Sequence, residues 1–179
     1  MTIKTTDLED VLLITPKVFF DERGYFMETF NQKNFERFSD IKFVQDNESL
    51  SQKNVLRGLH FQKPPFAQAK LVRVIQGSIY DVAVDLRKDS QNYGKYFGHI
   101  LSSENKHQLF IPIGFAHGFL SLEDNTIINY KCSNFYEKEA EDAILWNDED
   151  LGIPWGISHP IIAEKDLVAQ KFSKFDSPF

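Results

Sequence analysis

The sequence predicts a mainly β fold, a sandwich or barrel of short strands with short peripheral helices. Three observations carry that prediction. Apolar residues recur at the two-residue period of a half-buried strand, most plainly over 79–86, where Tyr80, Val82, Val84 and Leu86 share one face. Turn residues such as Gln76-Gly77-Ser78 and Lys63-Pro64-Pro65-Phe66 separate runs of that length. Helical spacing is confined to two short stretches, which argues against strands alternating with helices around a parallel sheet.

In chain order, Val11-Leu12-Leu13-Ile14 reads as a strand that Thr15-Pro16 ends. Val18-Phe19-Phe20 runs into the charged turn Asp21-Glu22-Arg23-Gly24, where glycine supplies a permissive φ. The stretch 25–30 is expected to return as an edge strand with Phe26, Glu28 and Phe30 on one face. A helix is expected over 31–39, capped by Asn31, with Phe35 and Phe38 on one side. Phe43 to Asn47 is extended again, with the amides of Gln45 and Asn47 on a shared face, suited to a heterocycle or to solvent. Two strands, 57–62 and 70–74, flank the loop forced by Pro64-Pro65. Further strands are expected over 96–101, 107–111, 118–122 and 126–132. A helix over 164–172 then folds the tail back across the β body.

A length of 179 residues suits one domain, 1–179, with a sizeable core. A hydrophobic content of 42% argues against disorder, and seventeen Phe must be shared among core, stacking site and subunit interface. The formal charge of −6 argues against a general nucleic-acid binder, though a local basic group can still hold a small anion. Cys132 alone excludes an intrachain disulfide and any multi-cysteine metal site, and reads as a strand-packing thiol. No apolar run approaches the roughly 20 residues that span a bilayer. The N-terminal residues lack an apolar signal segment, so a soluble, cytoplasmic protein with no membrane partner is expected.

Chemistry concentrates in Arg57-Gly58-Leu59-His60-Phe61-Gln62 and Lys70-Leu71-Val72-Arg73-Val74. In regular strands Gly58, His60 and Gln62 share a face, as do Lys70, Val72 and Val74. If both faces line one cavity, a proton acceptor and a cation meet in apolar surroundings. Pro112-Ile113-Gly114-Phe115-Ala116-His117 fits P-x-G-x-x-H, which looks like the second half-motif of the cupin jelly roll. Metal-binding cupins add H-x-H on an earlier strand, and here that place reads His60-Phe61-Gln62. The replacement leaves the ligand cluster incomplete, so no metal is expected. A neutral imidazole can instead take a proton if a carboxylate fixes its tautomer, for which Asp166 is the candidate. Lys70 suits a developing enolate oxygen, and Tyr130, sharing a face with Ile128 and Cys132, could return a proton from the other side. Taken singly, each also has a structural reading: interior His60, surface Lys70 and Asp166, core Tyr130.

The ordered blocks decide between those readings. Arg57 to Gln62, the Pro-Pro pair, Ala69-Lys70-Leu71-Val72, Asp81 to Arg87, Gly114 to Phe119, Tyr130-Lys131 and Trp146-Asn147-Asp148 together closely resemble the dTDP-4-dehydrorhamnose 3,5-epimerase family. The resemblance runs from about Thr15 to Leu167. It implies a cupin-type jelly-roll homodimer, without a cofactor, acting on dTDP-4-dehydro-6-deoxy-D-glucose. By position, His60 matches the general base, Asp166 its dyad partner, Tyr130 the general acid and Lys70 the group beside the sugar carbonyl. Arg57, His117, Gln45, Asn47, Glu141 and Lys165 match substrate contacts. Arg23 and Glu28 match residues at the nucleotide end, with Phe19 and Phe26 as its aromatic wall; in the family this segment comes from the neighbouring subunit. Phe61 stands where the family often has Tyr. Arg57 has the opposite strand parity from His60, so both reach one ligand only if Arg57 sits at a bend or strand start. Two other readings stay open: a C3-only or C5-only epimerase on a related nucleotide-linked 4-keto sugar, and a non-catalytic nucleotide-sugar-binding cupin.

Overall fold

The computed structural model describes residues 1–36 and 39–179. The chain begins with β1 (Thr2–Thr5), β2 (Leu12–Thr15), β3 (Val18–Asp21), β4 (Gly24–Met27) and the one-turn α1 (Gln32–Phe35). The body follows as β5 (Gln45–Ser51), β6 (Leu56–Gln62), β7 (Lys70–Gln76), β8 (Ser78–Asp85) and β9 (Tyr96–Ser102). It continues through β10 (Gln108–Ile111), β11 (Phe115–Ser121), β12 (Thr126–Cys132) and β13 (Glu141–Ala143) to α2 (Glu164–Leu167). Six strands pair in the order β1-β2-β10-β7-β12-β5 and five in the order β13-β6-β11-β8-β9, while β3 and β4 form a separate hairpin. Neighbours are antiparallel throughout, in a cupin-type jelly roll.

Alternation sorts the side chains into layers. Between the sheets, Val72, Val74, Leu109 and Ile128 meet Ile79, Ala83, Leu101, Phe115 and Phe119 in one buried cluster. The outer face of the five-stranded sheet presents Leu59, Phe61, Val82, Val84 and Leu86, covered by Trp146, Trp155 and the tail aromatics Phe172, Phe175 and Phe179. The tail thus folds across the β body as expected. On the other outer face Phe35, at the end of α1, packs with Ile14, Leu71 and Phe110. Each such side chain removed from water stabilises the fold by about 1.5–3 kcal/mol.

Several boundaries differ from the sequence expectation. The helix expected over 31–39 is one turn, with Asn31 capping it by accepting from the Asn34 N–H at 3.4 Å; Phe38 lies outside the described residues. The strand expected to Phe30 stops at Met27, because the Glu28 carboxylate turns to accept from the side chains of Asn31 and Asn34. The expected 164–172 helix ends at Leu167, where Val168 leaves helical geometry (φ −107°, ψ 11°). Isolated single turns have no stability of their own, so packing sets these limits. Among the described residues no helix is long and apolar enough to cross a membrane.

Candidate active site

The catalytic candidates arrive from both sheets. His60, on β6, points between the sheets because its neighbours Leu59 and Phe61 are committed to the outer cluster. Its Nε2 lies 2.7 Å from Asp166 Oδ1. A carboxylate accepts, so Nε2 carries the hydrogen and Nδ1 keeps its lone pair. Asp166, 2% exposed on α2, also accepts from the Gly58 N–H at 3.5 Å, which ties the short helix to β6. The proximity of Asp166 to His60 expected from the sequence is present in the geometry.

Lys70 and Tyr130 face His60 from the six-stranded sheet, at the start of β7 and on β12. The Lys70 ammonium stands 5.9 Å from the Tyr130 ring centroid. Burial lowers the Lys70 pKa, an effect that Cys132, Asp81 and Glu141 partly offset. Burial raises the Tyr130 phenol, aided by Cys132 and opposed by the Arg57 cation. Cys132 itself is buried and unbridged, Cα partner of Lys70 across β12 and β7.

The parity of Arg57 has a structural answer. Along β6 and β11, His60 opposes His117 and Arg57 opposes Phe119, so Gly58 and Leu59 together face the single residue Gly118. That extra residue is a β-bulge, which turns Arg57 to the same side as His60. Gly58 (φ +130°) permits it: a Cβ there would stand 2.4 Å from Gly118 Cα. The Arg57 guanidinium is steadied by bonds to Ser51 Oγ and the Leu50 carbonyl, and joins the cavity wall.

His60, Asp166, Lys70, Tyr130, Arg57, His117, Glu141 and Lys165 line one cavity of about 510 Å³. Gln45 and Asn47 line an adjoining space of about 340 Å³ that shares His60, Lys70, Tyr130 and Glu141. Glu141 takes a hydrogen bond from Lys165 at 3.0 Å; burial pushes its carboxyl up, but the ammonium prevails and holds it below the usual range. Gln62 is committed elsewhere: its amide donates to the carbonyls of Phe66 and Phe135 and accepts from the Glu137 N–H, fastening two loops. Arg23, Glu28, Phe19 and Phe26 stay outside the cavity of their own chain. Arg23 is exposed and paired with Asp21 at 2.6 Å, and Phe19 and Phe26 are cross-strand partners in the hairpin, 51% and 70% exposed.

Sequence reasoning missed Asp81. It is fully buried on β8 and accepts from His117 Nε2 at 2.7 Å, so the cavity holds a second histidine–carboxylate pair. Burial lowers the His117 pKa, opposed chiefly by Asp81. The available signal was a carboxylate on the strand face opposite Tyr80, Val82 and Val84, where a core position is expected to be apolar.

A base on one sheet facing an acid and a cation on the other suits proton abstraction beside a carbonyl with return from the opposite face. Comparison with known proteins agrees. A Shigella flexneri dTDP-4-dehydrorhamnose 3,5-epimerase is 52% identical over 178 residues, 98% of either chain. The crystal structure of the Elizabethkingia anophelis enzyme of that name superposes with a TM-score of 0.92 at 50% identity, covering 97% of both chains. That of a Legionella pneumophila dTDP-6-deoxy-D-glucose-3,5-epimerase, in complex with dTDP-4-keto-L-rhamnose, gives 0.94 at 43% identity, covering 98% of this chain and 94% of that one. The dTDP-4-dehydrorhamnose 3,5-epimerase family profile matches residues 5–174, and the chain belongs to that family.

Proposed function

We propose that this protein inverts C3 and C5 of dTDP-4-dehydro-6-deoxy-D-glucose to give dTDP-4-dehydro-β-L-rhamnose, working as a cytoplasmic homodimer in rhamnose and surface-polysaccharide synthesis. The observation that carries the reading is the 2.7 Å bond from His60 to Asp166 in a cavity shared with Lys70 and Tyr130. The 4-keto group acidifies the hydrogens on both neighbouring carbons. His60 removes one through Nδ1, and Asp166 stabilises the imidazolium that forms. Lys70 balances the enolate oxygen, and Tyr130, on the opposite sheet, delivers a proton to the opposite face of the ring. One base and one enolate site serve both carbons in turn. Arg57, His117, Glu141 and Lys165 hold the sugar diphosphate, Arg57 through a fork suited to phosphate oxygens. Gln45 and Asn47 serve the nucleotide from the adjoining space, and the partner's hairpin closes that end.

Incubation of the sugar nucleotide with the protein in D₂O, read by NMR, tests this. Deuterium is expected at both C3 and C5, with a product that a 4-keto reductase accepts. Label at a single carbon would make it a single epimerase, and binding without label a non-catalytic module.

A further inference from the structure

Four of the five histidines follow one another from the cavity to the far edge of the sandwich, and the proposed reaction uses only two. Across the order β6-β11-β8-β9, His60 is the Cα partner of His117, and Asp81 that of His99. All four side chains lie on the inward face. His117 and Asp81 share the 2.7 Å bond, and His99 Nε2 lies 3.0 Å from His107 Nδ1. Asp81 Oδ2 is buried with no partner among the described residues. An orphaned buried carboxylate oxygen is costly, and a bridging water is the usual remedy.

We propose that His117, Asp81, His99 and His107 form a proton path between the cavity and the far edge of the sandwich, resetting the acid and the base after each inversion. This rests on the epimerase reading. Each inversion leaves His60 with an extra proton and Tyr130 without one, so one proton must leave and one must return. Outbound, His117 accepts at Nδ1 and passes its Nε2 hydrogen to Asp81 Oδ1. A half-turn of the protonated carboxyl group brings that hydrogen to the Oδ2 position, where water takes it on to His99 Nδ1 and leaves Asp81 a carboxylate again. His99 hands its Nε2 hydrogen to His107 Nδ1, and His107 gives its own Nε2 hydrogen to solvent. Every ring is then neutral with its hydrogen on the other nitrogen, so the next transfer can only run inward, toward Tyr130. The path carries one proton out and one in, which is the balance the reaction needs. Burial holds the pKa of His99, His107 and His117 below the ordinary value, and a neutral ring can both donate and accept. Lys70 and His60 act on His117 in that direction, Lys4 on His107, and Asp81 opposes it at His117 and His99.

The test is His99→Phe, which keeps a flat ring beside Phe97 and removes both nitrogens outside the cavity. With excess sugar nucleotide in D₂O, the first inversion, read as label at one carbon per site, is expected at the wild-type rate. Steady-state turnover is expected to fall about tenfold, with free imidazole restoring most of it. An unchanged steady state overturns the path. So does an equal loss in both phases that imidazole does not rescue, the sign of a purely structural residue. Should that variant fail to fold, His107→Gln cuts the path at its outer end and must give the same split. Absence of exchange by the wild-type protein would refute the epimerase reading itself, whereas wild-type exchange with an indifferent His99→Phe refutes the path alone.

Discussion

His60 and Tyr130 approach the cavity from opposite sheets, so their losses are expected to differ in kind. His60→Ala removes the group proposed to take the first proton. Its kcat is expected to fall about 10²–10⁴-fold, and deuterium incorporation at C3 and C5 to fall with it; near-normal incorporation would refute the assignment. Tyr130→Phe keeps the base and the enolate site but removes the hydrogen to be returned. Exchange at carbon is expected to survive while net inversion stops, and unchanged turnover would rule out an acid role. His60, Lys70 and Tyr130 were legible because an imidazole, a lysine and a tyrosine on alternating strands can be placed on a face from parity. Asp166 was not legible that way: it comes from a single helical turn whose approach to β6 depends on a tertiary bond to the Gly58 N–H. Asp81 was hidden for a different reason. Its strand advertises an apolar face at Tyr80, Val82 and Val84, and only the partner on β11 gives the opposite face a purpose.

At the scale of elements, two-residue alternation located β7, β8, β9, β10, β11 and β12 to within a few residues, because each has one face committed to a core. The two helices were overextended, since helical spacing in a short segment specifies nothing without a surface to cover. The bulge in β6 was invisible to any periodic reading, and it is the feature that brings Arg57 beside His60. Gly58→Ala tests it. The new Cβ would meet Gly118 Cα at 2.4 Å and the His117 carbonyl at 2.9 Å, both backbone, at φ +130°. Neither wall can swing aside, so a loss of at least about 2–4 kcal/mol is expected by chemical denaturation. Gly24→Ala is the control. It shares φ +130° but has nothing within 4 Å of the Cβ, and is expected to cost only the backbone term of about 1–3 kcal/mol. Equal losses at the two positions would mean that close packing against β11 is not what requires Gly58.

For the whole molecule, the hairpin of β3 and β4 is the part its own chain does not explain. Phe19, Phe20, Tyr25 and Phe26 are all more than half exposed, an arrangement that a soluble surface rarely leaves uncovered. The hairpin has a set direction, since Lys106 Nζ donates to the Tyr25 hydroxyl at 3.1 Å and lies 4.2 Å from its ring centroid. If the hairpin completes the partner's site, Arg23 and His60 of one chain serve different sites. Chains carrying His60→Ala and chains carrying Arg23→Ala, each impaired alone, are then complementary. In a mixed dimer, the site with intact His60 receives an intact Arg23 from its partner, while the other site carries both defects. Random reassortment of equal amounts makes half the dimers mixed, each with one good site of two. Activity is therefore expected to recover to roughly a quarter of wild type in a twofold-symmetric dimer. If Arg23 instead serves its own chain, every site in every dimer keeps a defect, and mixing restores nothing. Reassortment under mild denaturant, followed by turnover at subsaturating substrate, separates the two outcomes without requiring a structure of the dimer.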